Sequence, residues 1–330
     1  MQSEVVLPKH VPIAYSTRGN YVENVFYGSV AVVDRDGKLI AHVGDVDYPI
    51  FTRSALKPLQ ALPLVANPRF AEYGLTPAEI ALLCSSHNGE PVHAETAGRL
   101  LAKVGLTEAA LQCGSHTPYW YQWNNERPDP DKRWSPLFHN CSGKHSGMLL
   151  QAKLLAAPAD HYLDPESPVQ RAIRDAVGYA CGADDAAAMP WGTDGCSAPN
   201  FAVPLVGLAR AFAWMTRDEA DPRYGTAPKT LFEAMAAHPE MVSGAGRNDL
   251  ALAVGATIET VIRAMSRWQK EGVVETHESG FVLRDVHALR AALREAGAES
   301  FAHVEEPGVG ERLAAAWSRF VEAGGVLSPQ

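Results

Sequence analysis

The sequence predicts a mixed α/β protein of the α+β type, with strands in the first 50 residues, helices in the middle, a second strand pair near the C-terminal end and a final helical region. Short β-branched segments fill the first 50 residues, and helical periodicity runs from about residue 54 to about 235. A second pair of strand-like segments follows near residues 272–283. Since no linker separates two halves, we expect one domain over residues 1–330. Its sheet lobe combines the N- and C-terminal parts, and its helical lobe covers roughly 55–235.

The composition excludes several classes of function. The 330 residues are 46% hydrophobic and 20% charged, with a net charge of −9, which is typical of a globular protein. No basic block stands out, so we expect no nucleic-acid partner and no membrane partner. The first residues lack a basic segment followed by an apolar one, and no apolar run could span a bilayer. We therefore expect a cytoplasmic protein.

The first 50 residues predict a β-hairpin. Residues 30–33 and 39–41 are apolar and flank Asp36 and Gly37, a strong turn signal between strands. Just before them, Arg18 and Glu23 are either charges that face a site or a solvated ion pair.

The middle of the chain predicts a series of helices. Thr76, Pro77 and Glu79 form a helix start, with threonine as N-cap, proline at the first position and glutamate at the third. Further helices are expected over 92–104, from about Thr107, over 142–156, after Asp164, over 205–212 and over 250–268. We predict loops at 124–136 and 191–199, which are rich in turn residues. Strands are expected at 272–275 and 280–283.

The chain contains five cysteines and no C-x-x-C pair. An odd number in a cytoplasmic protein favours free thiols or metal ligands over a disulfide framework.

Ser54 and Lys57 form the most informative short motif. Residues three apart on a helix share a face, so a hydroxyl lies beside an amine. A serine needs a neighbour to take its proton, and a lysine can do so where burial lowers its pKa. S-x-x-K is the nucleophile motif of penicillin-recognising enzymes and class A β-lactamases. Two fixed residues are a weak signal, however, and an exposed helix turn gives the same pattern.

Several polar clusters follow in a fixed order. They are Arg18-Gly19-x-x-Val22-Glu23, Arg53-Ser54-Ala55-Leu56-Lys57-Pro58-Leu59-Gln60-Ala61, Cys84-x-Ser86-His87-x-Gly89-Glu90, Cys113-Gly114-x-His116, His139-Asn140-Cys141-Ser142-Gly143-Lys144-His145-x-Gly147-Met148, Asp194-Gly195-Cys196 and His238-Pro239-Glu240. This series resembles the L-asparaginases of the Rhizobium etli type, also called asparaginase II. The resemblance covers roughly residues 10–250.

The resemblance implies a serine-β-lactamase-like fold, with an antiparallel sheet flanked by helices and a helical lobe. It also implies a homodimer that hydrolyses L-asparagine to L-aspartate and ammonia. Ser54 matches the family's first catalytic serine, Lys57 its partner, and Ser86 the second serine of the pocket. From the same motifs we expect the substrate to be bound by Arg53, His87, Glu90, Asn140 and Asp194.

The resemblance further implies one zinc ion per chain, bound by Cys141, Lys144 and Cys196. Cys141 precedes a predicted helix, and a helix N-terminus lowers the pKa of a thiol, which favours metal binding. Lys144 lies three residues further on, on the same face. The alternative is that Cys141 and Cys196 are small pocket residues without metal. Cys84, Cys113 and Cys181 are expected to be buried structural thiols.

Lys270 is the candidate for the family's second catalytic lysine. The family places that lysine in a strand context similar to K-x-G-A-E-G, and here Lys270-Glu271-Gly272 matches its first part only. We expect Lys270 to pair with Ser86. The alternative is a solvated lysine at a helix C-terminus.

Three functions remain open from the sequence. The first is an asparagine amidohydrolase. The second is a β-lactamase-like esterase or peptidase that uses the same serine and lysine, although the K-T-G motif of that class is missing. The third is a catalytically inactive amino-acid-binding module, which the divergent region around Lys270 keeps open.

Overall fold

The structure is a computed structural model that describes residues 7–123, 126–244, 274–277 and 280–283. The chain divides into two compact units. The first contains the described residues 7–48, 204–213, 274–277 and 280–283. The second contains the described parts of 49–203 and 214–244.

The first unit begins with two β-hairpins. Strands β1 (Val11–Arg18) and β2 (Tyr21–Gly28) pair antiparallel, and Arg18 and Glu23 form an exposed ion pair across them. This contact corresponds to the solvated alternative for the two charges.

The second hairpin is the one that the sequence predicts. Strands β3 (Val30–Val33) and β4 (Leu39–Val43) pair antiparallel around Gly37, whose φ of 82° suits a glycine. The Asp34 carboxylate accepts hydrogen bonds from the backbone N–H groups of Asp36 and Lys38 and so closes the turn.

Helices dominate the middle of the chain. They are α1 (Lys57–Val65), α2 (Pro77–Leu83), α3 (Pro91–Ala102), α4 (Tyr119–Trp123), α5 (Ser142–Leu154), α6 (Pro168–Cys181), α7 (Leu205–Met215), α8 (Ala227–Ala237) and α9 (Pro239–Val242). The predicted start of α2 is confirmed, because Thr76 and Glu79 form a capping box. No helix in the described part of the chain is long and apolar enough to cross a membrane.

Helix α5 lies at the centre of the second unit and is buried from Ser142 to Ala152. It packs against α1, α2, α3 and α6. Gly143 allows α5 to pack closely against α2, because a Cβ atom at this position would lie only 2.2 Å from the Leu82 carbonyl oxygen. This packing fixes the start of α5, which carries the predicted metal ligands Cys141 and Lys144.

Two predicted elements differ in the structure. The helix expected from Thr107 is a short 3₁₀ turn, Glu108–Ala110, because the chain becomes extended at Leu111. The loop expected over 191–199 contains strand β6 (Trp191–Thr193) and a tight turn, and it ends at the first residue of strand β7 (Pro199–Pro204). The Gly, Asp, Ser and Pro residues of this segment are typical of turns, so the sequence pattern does not reveal the short strands.

A three-stranded sheet leads the chain into the predicted active-site motif. Strand β5 (Pro49–Phe51) joins β7 and β6 in the order β5-β7-β6, and Ser54 follows three residues after β5. Near the C-terminal end, β8 (Val274–His277) and β9 (Gly280–Leu283) pair antiparallel, which confirms the predicted strand pair. The helix predicted over 250–268 falls outside the described residues.

The described elements therefore form a mixed α/β structure of small antiparallel sheets and helices, as the sequence predicts.

Candidate active site

Ser54 lies at the start of the first helical segment of the second unit. It belongs to a 3₁₀ turn, Arg53–Leu56, that continues directly into α1. Arg53 has a φ of 52°, a left-handed conformation that is uncommon for a residue with a side chain. The backbone therefore turns sharply just before Ser54, whose side chain stays half-buried.

The hydroxyl groups of Ser54 and Ser86 are hydrogen-bonded. Ser54 Oγ donates to Ser86 Oγ over 3.1 Å, and Asn140 Nδ2 donates to the same oxygen, also over 3.1 Å. Three predicted site residues from different parts of the chain thus meet at one atom.

Backbone hydrogen bonds hold Ser86 in place between α2 and α3. Its N–H donates to the Val242 carbonyl over 2.9 Å, and the N–H of Asn88 donates to the Ser243 carbonyl over 2.9 Å. The intervening His87 N–H donates to the Asn140 carbonyl over 3.2 Å. The segment therefore lies between residues 242–243 on one side and Asn140 on the other.

Lys57 is buried beside this pair, with 1% of its surface exposed. Its Nζ donates to the Ser85 carbonyl over 2.5 Å and to the Asn140 carbonyl over 3.4 Å. Burial lowers the pKa of Lys57, although the nearby Cys141 thiolate opposes this shift. The amine thus bonds to the residues next to Ser86, whereas the Ser54 hydroxyl bonds to Ser86 itself. The direct Ser54–Lys57 pair stays a prediction.

Cys141, Lys144 and Cys196 lie together in the buried interior. Lys144 Nζ donates to Cys196 Sγ over 3.1 Å. A hydrogen bond from the Cys196 thiol lowers the pKa of Cys141 well below its usual value and raises the pKa of Cys196. Burial opposes the charge on Lys144, but the thiolate of Cys141 and the sulfur of Cys196 together raise its pKa. The Cys196 thiol therefore stabilises the Cys141 thiolate, while Lys144 donates to Cys196 and adds a nearby positive charge.

These three residues fit a zinc ion in ligand type and proximity. Zinc binds thiolate sulfur and neutral nitrogen, and the metal would replace the protons on Cys196 and Lys144. Among the described residues, no group of three His, Cys, Asp or Glu side chains could hold a metal ion. Any zinc bound here would therefore need the lysine as a ligand, and the zinc site stays a prediction.

Arg53 and Asp194 form an ion pair next to Ser54. Arg53 Nη2 lies 2.8 Å from Asp194 Oδ1, and the arginine side chain remains 69% exposed. Asp194 sits in the β6–β7 turn, where its carboxylate also accepts the N–H of Gly195 over 2.8 Å. Asp194 therefore binds one side of the Arg53 guanidinium, and the exposed remainder is accessible to a ligand.

The two remaining predicted binding residues, His87 and Glu90, differ in burial, since Glu90 is half-buried. His87 is fully buried and accepts the Gly89 N–H at Nδ1, while its Nε2 bonds to Ser142 Oγ over 2.9 Å. Burial lowers the pKa of His87 well below its usual value, so the ring is neutral. Glu90 caps α3. Substrate binding by His87 and Glu90 stays a prediction. Lys270 lies outside the described residues, and its pairing with Ser86 stays a prediction.

Two residues join the site that the sequence did not single out for it. Asn200 in β7 donates from Nδ2 to the Arg53 carbonyl over 3.3 Å and supports the left-handed turn before Ser54. Nothing in its local pattern marks it. His116 contacts Asn140 through Nε2, and it was visible in the sequence as part of the Cys113-Gly114-x-His116 cluster.

Chemically, the arrangement combines two bonded hydroxyl groups with a buried amine whose pKa is lowered. Such a group can form a covalent intermediate with an acyl substrate and move the proton that the attack releases. The model of the family described as L-asparaginase II matches residues 14–264. No curated protein gives a significant match to the chain.

Proposed function

The chain belongs to the L-asparaginase II family, and on this basis we propose that it hydrolyses L-asparagine to L-aspartate and ammonia. Family membership implies an amidohydrolase. The observation that carries the proposal is the hydrogen bond between Ser54 and Ser86. The Lys57 amine lies nearby, where it donates to the backbone carbonyl of Ser85, the residue before Ser86.

Ser54 acts as the nucleophile in this proposal. Its oxygen forms a bond to the side-chain amide carbon of asparagine, and its proton moves to Ser86 along the existing hydrogen bond. Ser86 gives its own proton to the amide nitrogen, the carbon–nitrogen bond breaks, and ammonia leaves. A β-aspartyl ester remains on Ser54. Water then attacks the ester, gives a proton back to Ser54 through Ser86, and releases aspartate.

Lys57 is the alternative base for the first step: it would take the proton of Ser54 in place of Ser86 and return it to the amide nitrogen. Its lowered pKa makes a neutral amine accessible, and its place between the Ser85 and Asn140 carbonyls keeps it close to Ser86. To take the proton of Ser54 directly, as proposed from the sequence, Nζ must turn from these carbonyls toward Ser54. Lys270 is proposed to serve Ser86 in the same way.

Arg53 and Asp194 suit the zwitterionic end of an amino acid. A guanidinium binds a carboxylate with two parallel hydrogen bonds, and a carboxylate accepts from an ammonium group. The exposed Arg53 and the adjacent Asp194 offer both charges side by side. We assign them to the α-carboxylate and α-ammonium groups of asparagine.

The finer features are proposed with the function. They are a family subtype similar to that of Rhizobium etli, a serine-β-lactamase-like fold, a homodimer, a cytoplasmic location and one zinc ion per chain. When bound by Cys141, Lys144 and Cys196, zinc would supply a Lewis acid next to the substrate. Light scattering tests the dimer, which should give twice the mass of one chain.

A substrate panel tests the proposed function. Purified protein is given L-asparagine, L-glutamine or a chromogenic β-lactam, and released ammonia or the chromophore is measured. Ammonia from asparagine supports the proposal. Turnover of the β-lactam alone would indicate the esterase or peptidase alternative, and asparagine binding in calorimetry without turnover would indicate a binding module.

A further inference from the structure

His116 has a fixed orientation at the edge of the site. Its ring stacks on Tyr119 with centroids 4.7 Å apart and meets the edge of His139 at 4.4 Å. Nδ1 donates to the Thr117 carbonyl over 2.6 Å, because a carbonyl can only accept. These contacts leave Nε2 pointing at one residue, Asn140.

Nε2 contacts Asn140 at two points. It lies 3.3 Å from the backbone N–H and 3.1 Å from the side-chain Oδ1. A bare Nε2 accepts the backbone N–H, and a protonated Nε2 donates to Oδ1. The bare nitrogen holds the Asn140 backbone, and the protonated nitrogen fixes the side-chain amide with Oδ1 facing His116.

Asn140 in turn contacts the groups that carry the proposed chemistry. Its side-chain Nδ2 donates to Ser86 Oγ, and its backbone carbonyl accepts from Lys57 Nζ over 3.4 Å. With Nδ2 facing Ser86, the serine oxygen accepts from both Asn140 and Ser54. A half-turn of the amide would place Oδ1 there instead, and Ser86 would then donate its proton to Asn140.

We propose that His116 is a positioning residue for amide hydrolysis: it fixes the Asn140 amide, and through it holds Ser86 ready to take the proton of Ser54. This role rests on the proposed asparaginase function. It adds a residue that acts on the reaction through Asn140, without contact to the reacting atoms.

Loss of the His116 ring should therefore slow the chemical step more than it weakens binding. We expect His116→Ala to lower kcat about 100-fold, the scale on which misplaced catalytic groups act. KM should change less than about threefold, because Arg53 and Asp194 are untouched.

A double-mutant cycle separates this role from a structural one. Ammonia release from L-asparagine is measured for His116→Ala, Asn140→Ala and the double variant. If His116 acts through Asn140, the double variant should be as slow as Asn140→Ala alone. Losses that multiply in the double variant, or a His116→Ala variant with normal kcat, would overturn the proposal.

Two amide variants test the same role without removing the side chain. The glutamine amide of His116→Gln reaches about as far as Nε2, whereas the shorter amide of His116→Asn reaches only the position of Nδ1. His116→Gln should keep at least about tenfold more kcat than His116→Asn. Equal activity of the two would contradict the role, and this comparison decides the question if His116→Ala does not fold.

His161→Ala is the matched control, because that histidine is exposed and pairs with Asp160. Its kcat should equal that of the wild type, and circular dichroism confirms the folding of every variant. A wild-type protein that releases no ammonia from asparagine refutes the proposed function. An active wild type with an equally active His116→Ala refutes the positioning role alone.

Discussion

Arg53 connects backbone geometry to the nucleophile at the scale of single residues. Its φ of 52° costs free energy in any residue with a Cβ atom, and Asn200 holds its carbonyl in place. Such local strain persists where the surroundings determine the conformation. Here it directs the backbone into the turn that presents Ser54.

Arg53→Gly and Arg53→Ala therefore form an informative pair. Both remove the ion pair with Asp194, but glycine adopts the left-handed conformation without the Cβ penalty. We expect the free energy of unfolding of Arg53→Gly to exceed that of Arg53→Ala by about 1 kcal/mol, measured in urea. If the two unfold at the same urea concentration, Arg53 is not strained in solution.

The zinc site gives a second prediction at this scale. Protein purified without chelators should contain about one zinc ion per chain by elemental analysis, with Cys141, Lys144 and Cys196 as ligands and water or substrate as the fourth. The combined Cys141→Ser and Cys196→Ser substitutions should remove it. Cys181→Ala is the control, because that buried thiol lies in α6 away from the cluster, and its zinc content should be unchanged. Zinc that persists in the double variant must be bound elsewhere.

The structure brings together several residues that the sequence singled out, although their hydrogen-bond partners differ from those expected. Ser54, Ser86 and Asn140 come together, and so do the two cysteines and Lys144. The same-face spacing of Ser54 and Lys57 suggested a direct contact, yet Lys57 bonds to carbonyls contributed by distant segments. Spacing along one helix cannot reveal such partners, since they depend on tertiary packing.

At the scale of elements, the contact between α2 and α5 positions the site. Gly143 permits it, because any larger residue would meet the Leu82 carbonyl at the end of α2. The segment that carries Ser86 begins directly after α2, and the cluster that carries Cys141 directly before α5. A shift between these helices therefore moves the serine pair relative to the thiols.

Gly143→Ala tests this contact against Gly98→Ala. A Cβ at Gly143 lies 2.2 Å from the Leu82 oxygen, whereas one at Gly98 in α3 meets its nearest atom at 3.9 Å. We expect Gly143→Ala to lose about 1–3 kcal/mol of stability and Gly98→Ala to gain about 0.5–1 kcal/mol. Thermal and urea unfolding measure both. Equal effects at the two glycines would contradict the packing described here.

The elements with strong local signals were predictable. The capping box of α2 and the turn between β3 and β4 arise from neighbouring side chains, so the sequence alone specifies them. Strand β6 and the first residue of β7 fall in the predicted loop 191–199, because β6 depends on pairing with β7, and β7 on pairing with β5 and on burial of Phe201. Short strands of this kind are stabilised by their sheet and have little intrinsic preference.

At the scale of the whole molecule, the described site residues all lie in the second unit. Residues 49–203 supply both serines, Lys57, the thiols and the Arg53–Asp194 pair. The mixed α/β class followed from strands in the first 50 residues and near the C-terminal end, with helices in the middle. The sequence motifs identified the family because their order along the chain is specific, whereas each motif taken alone is weak.

The central claim is that Ser54 attacks asparagine, and one steady-state comparison tests it most directly. Ammonia release from L-asparagine is measured for the wild type, Ser54→Ala and Ser135→Ala, the last being a serine that caps the 3₁₀ turn Pro136–Phe138 outside the site. We predict that Ser54→Ala stays folded and loses at least about 1,000-fold in kcat, while Ser135→Ala keeps normal kcat. A folded Ser54→Ala variant that releases ammonia at the wild-type rate would contradict the account.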